Sequence, residues 1–201
     1  MAMIIYPIVE EIIKVMTEKN YMVFKGNKDY NLNIVGIRKS SIEANTFNDW
    51  LTVFYMLDGK WIFFAFPATT DPGTYYRLNP MNVRGTAVLK PGQYRNAYVI
   101  GKHRGYKALQ QKKSVVVYRD ANRDVYLDTA GVPEDRGLFD INIHRANAYR
   151  ASLEVGKWSA GCQVIQDPYH FNFLIMLCEK SEELYGNSFT YTLLEEIDFT
   201  K

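Results

Sequence analysis

Cys162 ends the run Trp158-Ser159-Ala160-Gly161-Cys162, eighteen residues after His144 in Ile141-Asn142-Ile143-His144-Arg145. A thiol among small residues, met by an imidazole from a neighbouring strand, is what cysteine-nucleophile acyl transfer requires. The thiolate is the attacking species, so a base or cation must draw the proton from a thiol whose free pKa is about 8.5. Histidine titrates near neutrality and can do so. Glycine permits close backbone approach, small neighbours leave room for a substrate carbonyl, and the N–H groups of such a turn can face a tetrahedral oxyanion. The competing reading of Cys162 is a small buried residue, and that of His144 a half-buried structural histidine. The chain holds three histidines. His103, in Gly101-Lys102-His103-Arg104-Gly105, is expected as a surface residue or a substrate contact, and His170, at a helix start, as a surface residue.

The surrounding pattern supplies elements to position these groups. Alternation over 139–144 predicts a strand with His144 and Asn142 on the face opposite Ile141 and Ile143. Apolar residues at Ile8, Val9, Ile12, Ile13 and Met16 predict a helix over 7–19, with Pro7 in its first turn. Short strands are expected at 21–25 and 32–37, and loop over 38–48. Two aromatic and β-branched runs, 51–55 and 61–66, flank Asp58-Gly59 and predict a hairpin. Further strands are expected at 86–89 and 97–100, with a second hairpin from 114–118 through a polar turn to 125–127. The basic cluster from Lys102 to Lys113 reads as a solvated turn or helix. A helix from about 168 to 185 and a strand at 188–194 follow. The expectation is a mainly β, α+β chain folded as a single unit over 1–201.

The segment Ile143-His144 … Ser159-Ala160-Gly161-Cys162 resembles the signature of the L,D-transpeptidase catalytic domain, the YkuD-type fold. Fourteen residues separate His144 from Ser159, within the family's spacing. The hairpin at 51–66, the segment Thr69-Thr70 to Gly73, and Gly85-Thr86 to Pro91-Gly92-Gln93-Tyr94 are similar to the family's upstream pattern. The resemblance covers roughly 50–166. It leaves 1–45 as an N-terminal helix-strand extension and 167–201 as a C-terminal helix and strand. It implies a YkuD-type β-sandwich or mixed-sheet scaffold with Cys162 as nucleophile and His144 as base. The backbone carbonyl of Arg145 would orient the imidazole, and the amide of Gly161, with that of Cys162, would lie near the oxyanion. Ser159, Ala160, Trp158, Asn142 and Tyr94 would contact substrate. Two positions depart from the family. Ala160 stands where a second histidine is usual, and Val164, after Gln163, where an arginine is common. A valine supplies no bidentate fork for a carboxylate. The implied activity is cleavage of peptidoglycan stem peptides through an acyl-enzyme. The alternatives are a cross-linking L,D-transpeptidase and a catalytically silent wall-binding or virion structural module.

Composition bounds the rest. A net charge of +2 and a pI near 8.4 argue against a nucleic-acid partner. Two cysteines imply no disulfide framework, and Cys178, in an apolar run, is expected as a buried thiol. Asp120-Ala121-Asn122-Arg123-Asp124 begins like a calcium loop, but Val125 replaces its glycine and Gly131 its last ligand, so a polar turn is expected. No metal or other cofactor is expected. No run is long and apolar enough to span a membrane, and none reads as a secretion signal. Together with the implied activity, this predicts a protein made in the cytoplasm and released onto the wall, as a phage endolysin is.

Overall fold

Val9, Ile12, Val15 and Met16 share one face of a helix, α1 (Val9–Glu18), and that face is buried. The helix is capped at Ile8, so Pro7 precedes it instead of filling its first turn. These side chains pack against Val35, Ile37, Phe54 and Leu194 on the outside of a sheet. This computed structural model describes residues 7–26, 29–40 and 45–200. Residues 1–6, 27–28, 41–44 and 201 of the expected extension, loop and C-terminal segment lie outside the described residues.

The elements that follow α1 are β1 (Asn33–Arg38), β2 (Asp49–Leu57), β3 (Lys60–Thr69), α2 (Thr74–Leu78), β4 (Thr86–Leu89), β5 (Gly92–His103), β6 (Tyr106–Gln111), β7 (Val115–Asp120), β8 (Glu134–Gly137), β9 (Ile143–Arg145), β10 (Gln163–Ile165), α3 (Pro168–Tyr185) and β11 (Phe189–Glu195). Eight strands close into a barrel in the order β1-β11-β5-β6-β9-β10-β3-β2, and β4-β7-β8 form a separate small sheet. Two neighbour pairs in the barrel, β1 with β11 and β9 with β10, are parallel; the others are antiparallel. The chain is therefore mainly β and of the α+β class, its mixed sheet closed into a barrel. β1 and β11, which lie outside the expected 50–166 core, are adjacent barrel strands, and closure depends on them.

The hairpin at Asp58-Gly59 forms as expected, with both residues at positive φ. Elsewhere the structure corrects the expectation. The expected strand at 21–25 is irregular, while Asn33 bonds back to both the N–H and the carbonyl of Phe24. The basic segment Lys102–Lys113 is neither turn nor helix throughout. It forms the end of β5, a two-residue turn at Arg104-Gly105, and β6. The second hairpin pairs β7 with β8 (134–137), not with 125–127. The Asp124 carboxylate accepts the Tyr126 N–H at 2.7 Å, and Asn122 bonds Asp124 and Asp128, so local side-chain bonds hold this backbone away from a ladder. Over 139–144, regular pairing begins only at Ile143.

Beneath one end of the barrel lies a buried charge network. Arg38, only 3% exposed, donates to the Thr70 hydroxyl, the Thr70 carbonyl and the Leu89 carbonyl, and pairs with Asp71 at 2.7 Å. Asp49 accepts the Thr70 N–H and hydroxyl at 2.7 and 2.8 Å, and the Lys39 N–H at 2.8 Å. The network fixes residues 70–73, and from there the Gly73 N–H donates to the Ser159 carbonyl at 2.9 Å.

Candidate active site

Each three-residue strand of the β9–β10 pair carries one of the two chemical groups or leads out of it. The pairing is parallel, with His144 beside Val164. Cys162 precedes Val164 by two residues, and the Gln163 N–H already bonds the Asn142 carbonyl at 2.9 Å. Period-2 alternation therefore sets Cys162, Val164, His144 and Asn142 toward one face.

His144 is 4% exposed, and its Nδ1 lies 2.8 Å from the Arg145 carbonyl. A carbonyl can only accept, so Nδ1 carries the proton and Nε2 keeps its lone pair. Burial drives the imidazole down to about 4, an effect the Arg145 carbonyl partly offsets, so it is neutral at pH 7. His103 stacks on it with ring centroids 4.4 Å apart and planes inclined by 14°, and the Asn142 side-chain nitrogen lies 3.4 Å from His103 Nδ1. Asn142 also accepts the Gln111 N–H at 2.9 Å. Both ends of this amide serve to position the histidine pair.

Cys162 is a half-buried residue whose thiol donates to the Asp140 carbonyl at 3.3 Å, not to His144. Burial pushes the thiol up to about 11, opposed by the Asn142 backbone. The resting site thus pairs a neutral thiol with a neutral imidazole. Alkylation of Cys162 in the free protein is expected to accelerate about tenfold per pH unit from 7 to 10, tracking the thiolate fraction. Iodoacetamide labelling with peptide mapping measures this, because Cys178 is fully buried. A rate that levels off below pH 8 would contradict it.

The turn before the thiol is closed on itself. The Ser159 hydroxyl donates to the Cys162 carbonyl at 2.8 Å and accepts the Gly161 N–H at 3.1 Å. The amide expected to serve an oxyanion, that of Gly161, is therefore occupied by Ser159. The Cys162 amide has no protein acceptor among the described residues and remains as a donor. Gln163, fully buried, braces the turn by donating to the Gly161 carbonyl at 3.2 Å and the Thr70 carbonyl at 3.4 Å, while accepting the Tyr191 hydroxyl at 2.8 Å.

Two clefts flank this turn. Trp158, His103, His144, Arg104 and Arg145 line one, and Ala160, Asp140, Phe139, Thr86 and Tyr76 line part of the other, of about 290 Å³. Tyr94 belongs to neither: its hydroxyl donates to the Lys90 and Val116 carbonyls and ties β5 to the small sheet. Of the expected site residues, the structure gathers Cys162, His144, Arg145, Gly161, Ser159, Ala160, Trp158 and Asn142, and leaves Tyr94 apart. Sequence reasoning missed the stacking of His103 and the approach of Arg104. The signal available was Gly105, the glycine of the two-residue turn that brings the end of β5 to the site.

His170 is exposed, as expected, against Phe66. Among the described residues no cluster of His, Cys, Asp or Glu could hold a metal, and no helix is long and apolar enough to cross a membrane. No protein-family model, curated protein or solved structure matches the chain.

Proposed function

We propose that this chain is a cysteine-dependent acyl-transfer enzyme that cleaves peptidoglycan stem peptides, a divergent relative of the L,D-transpeptidase catalytic domain on a YkuD-type scaffold. The observation that carries the proposal is the parallel β9–β10 pair, which turns His144 and Cys162 to one face while the Arg145 carbonyl fixes the imidazole tautomer. A neutral pair suits general-base chemistry. The thiol swings from the Asp140 carbonyl, His144 Nε2 takes its proton, and Sγ attacks the peptide carbonyl. The oxyanion forms against the Cys162 amide. Collapse breaks the C–N bond, and the imidazolium returns the proton to the departing amine. Water, deprotonated by His144, then attacks the thioester, releasing a carboxylic acid and the thiol.

Hydrolysis is favoured over cross-linking because two family ligand groups are missing. Ala160 borders open cleft where the family carries an imidazole, and Val164, fully buried, offers nothing to a carboxylate. An endolysin-like role, with the enzyme reaching the wall after release from the cell that makes it, belongs to the same proposal. Digestion of purified peptidoglycan followed by muropeptide mass spectrometry tests it. New stem-peptide termini are expected with the parent protein and not with Cys162→Ala. Identical muropeptide profiles from the two proteins would refute it.

A second reading, a silent wall-binding or virion module, draws on the thiol's bond to the Asp140 carbonyl and the closed Ser159–Gly161 turn. It predicts wall pull-down by both proteins without cleavage by either.

A further inference from the structure

The cleft on the His144 side carries two arginines, Arg104 and Arg145. Arg104 sits in the two-residue β5–β6 turn, and Arg145 follows His144 on β9. Among the described residues neither guanidinium belongs to an ion pair, although nine such pairs involve other residues. Arg145 is not loose: its guanidinium lies 4.2 Å from the centroid of the Tyr106 ring, while its backbone holds His144. Stacking on an aromatic face fixes the guanidinium plane without using its N–H donors. Trp158, 38% exposed, is a further aromatic residue lining the same cleft. Asp140, whose backbone carbonyl accepts from the thiol, lines the opposite cleft together with Arg119, an arginine that is paired with Asp135.

We propose that Arg104 and Arg145 form a carboxylate-binding subsite on the His144 side of Cys162, which holds an acidic group of a peptide ligand while the thiol faces its scissile carbonyl. The aromatic residues take the alkyl portion beside that group. The field of Arg104 also reaches Cys162 and His144, which agrees with its standing over the site. The subsite moves to the β5–β6 turn and β9 a task that the buried Val164 cannot perform. In assigning the ligand's orientation across Cys162, the inference rests on the acyl-transfer reading given above.

Two probes test it on Cys162→Ala protein, which binds without turnover: a synthetic stem tetrapeptide ending in a free D-alanine carboxylate, and its C-terminal carboxamide. Titration calorimetry is expected to show the acid binding roughly tenfold tighter than the amide, as a charge-assisted guanidinium–carboxylate contact provides. Arg104→Gln or Arg145→Gln should each shrink that ratio, the double variant should bring it to one, and Arg145→Lys should restore part of it. Arg136→Gln, an exposed change on β8, should leave it intact. Circular dichroism confirms folding of each variant. Equal binding of acid and amide, no binding of either, or a ratio retained by the double variant would overturn the inference. Because binding is read apart from cleavage, selective binding with no muropeptide release refutes only the enzyme, and cleavage with no acid preference refutes only the subsite.

Discussion

Gly161→Ala is expected to lower the unfolding free energy by about 4 kcal/mol, combining backbone strain with a forced clash. Gly161 has φ +127°, a conformation that residues with a side chain rarely adopt. A Cβ built there would lie 2.4 Å from the Ala87 carbonyl oxygen and 2.9 Å from Ile141 Cδ1. The first of these is backbone, in β4 of the small sheet, and cannot rotate away. The turn must lift from the sheet, and Cys162 with it. Against a total stability of about 5–15 kcal/mol, such a loss is large. Urea denaturation followed by tryptophan fluorescence measures it, and a midpoint within error of the parent's would refute the steric account.

The second large effect concerns Arg38. Replacing it with methionine strips three hydrogen bonds, takes the 2.7 Å ion pair from Asp71, which keeps Arg77 at 3.7 Å, and removes a positive charge near the buried Asp49. Removing one partner from a buried charge network costs about 3–5 kcal/mol. The loss should depend on pH. Burial, and then the charge of Asp71, push the Asp49 carboxyl up to about 7. In the unfolded chain the same group titrates near about 3.9. Folded Asp49 therefore keeps its proton where unfolded Asp49 has released it, and its contribution to stability falls as pH rises from about 4 to about 7, then stays level. His144 has the opposite sign in the same window: it is held neutral down to about 4, and it costs stability as pH falls below its unfolded value. Comparing each variant with the parent separates the two. Arg38→Met should lose more stability at pH 8, where Asp49 is ionised, than at pH 5. Asp49→Asn should remove the decline across this range. Parallel pH–stability curves for Asp49→Asn and the parent would sink the assignment.

What the sequence discloses follows how locally each element is determined. α3 is written in neighbours: Asp167 caps it by accepting the Tyr169 N–H, Pro168 opens it, and Gly186 follows it at positive φ. The Asp58-Gly59 hairpin is equally local, and both matched expectation. β9 and β10 are three residues each, and their pairing depends on contacts from distant segments, so Phe139–Ile141 carry strand alternation without joining a ladder. Arg104-Gly105 turns with both residues at positive φ, as Asp58-Gly59 does, but arginine has no preference for that conformation and the charges around it masked the hairpin. At the site, Cys162 and His144 stood out by type and spacing. The capture of the Gly161 amide by Ser159 and the stacking of His103 on His144 depend on three-dimensional placement, to which spacing is blind.

The parallel β1–β11 seam has a consequence for how the molecule is made. Ile34 lies beside Tyr191, so the first and last strands of the barrel meet across almost the whole described chain. While the ribosome is still delivering residues 189–195, β1 and β5 both expose an unpaired edge. Closing so long a loop is entropically unfavourable before the contacts that reward it exist, and folding dominated by such pairings is slow. Gln163, which braces the cysteine turn, receives its Tyr191 hydroxyl partner only at that final step. The nascent chain therefore carries its thiol and imidazole before it carries the brace that sets them.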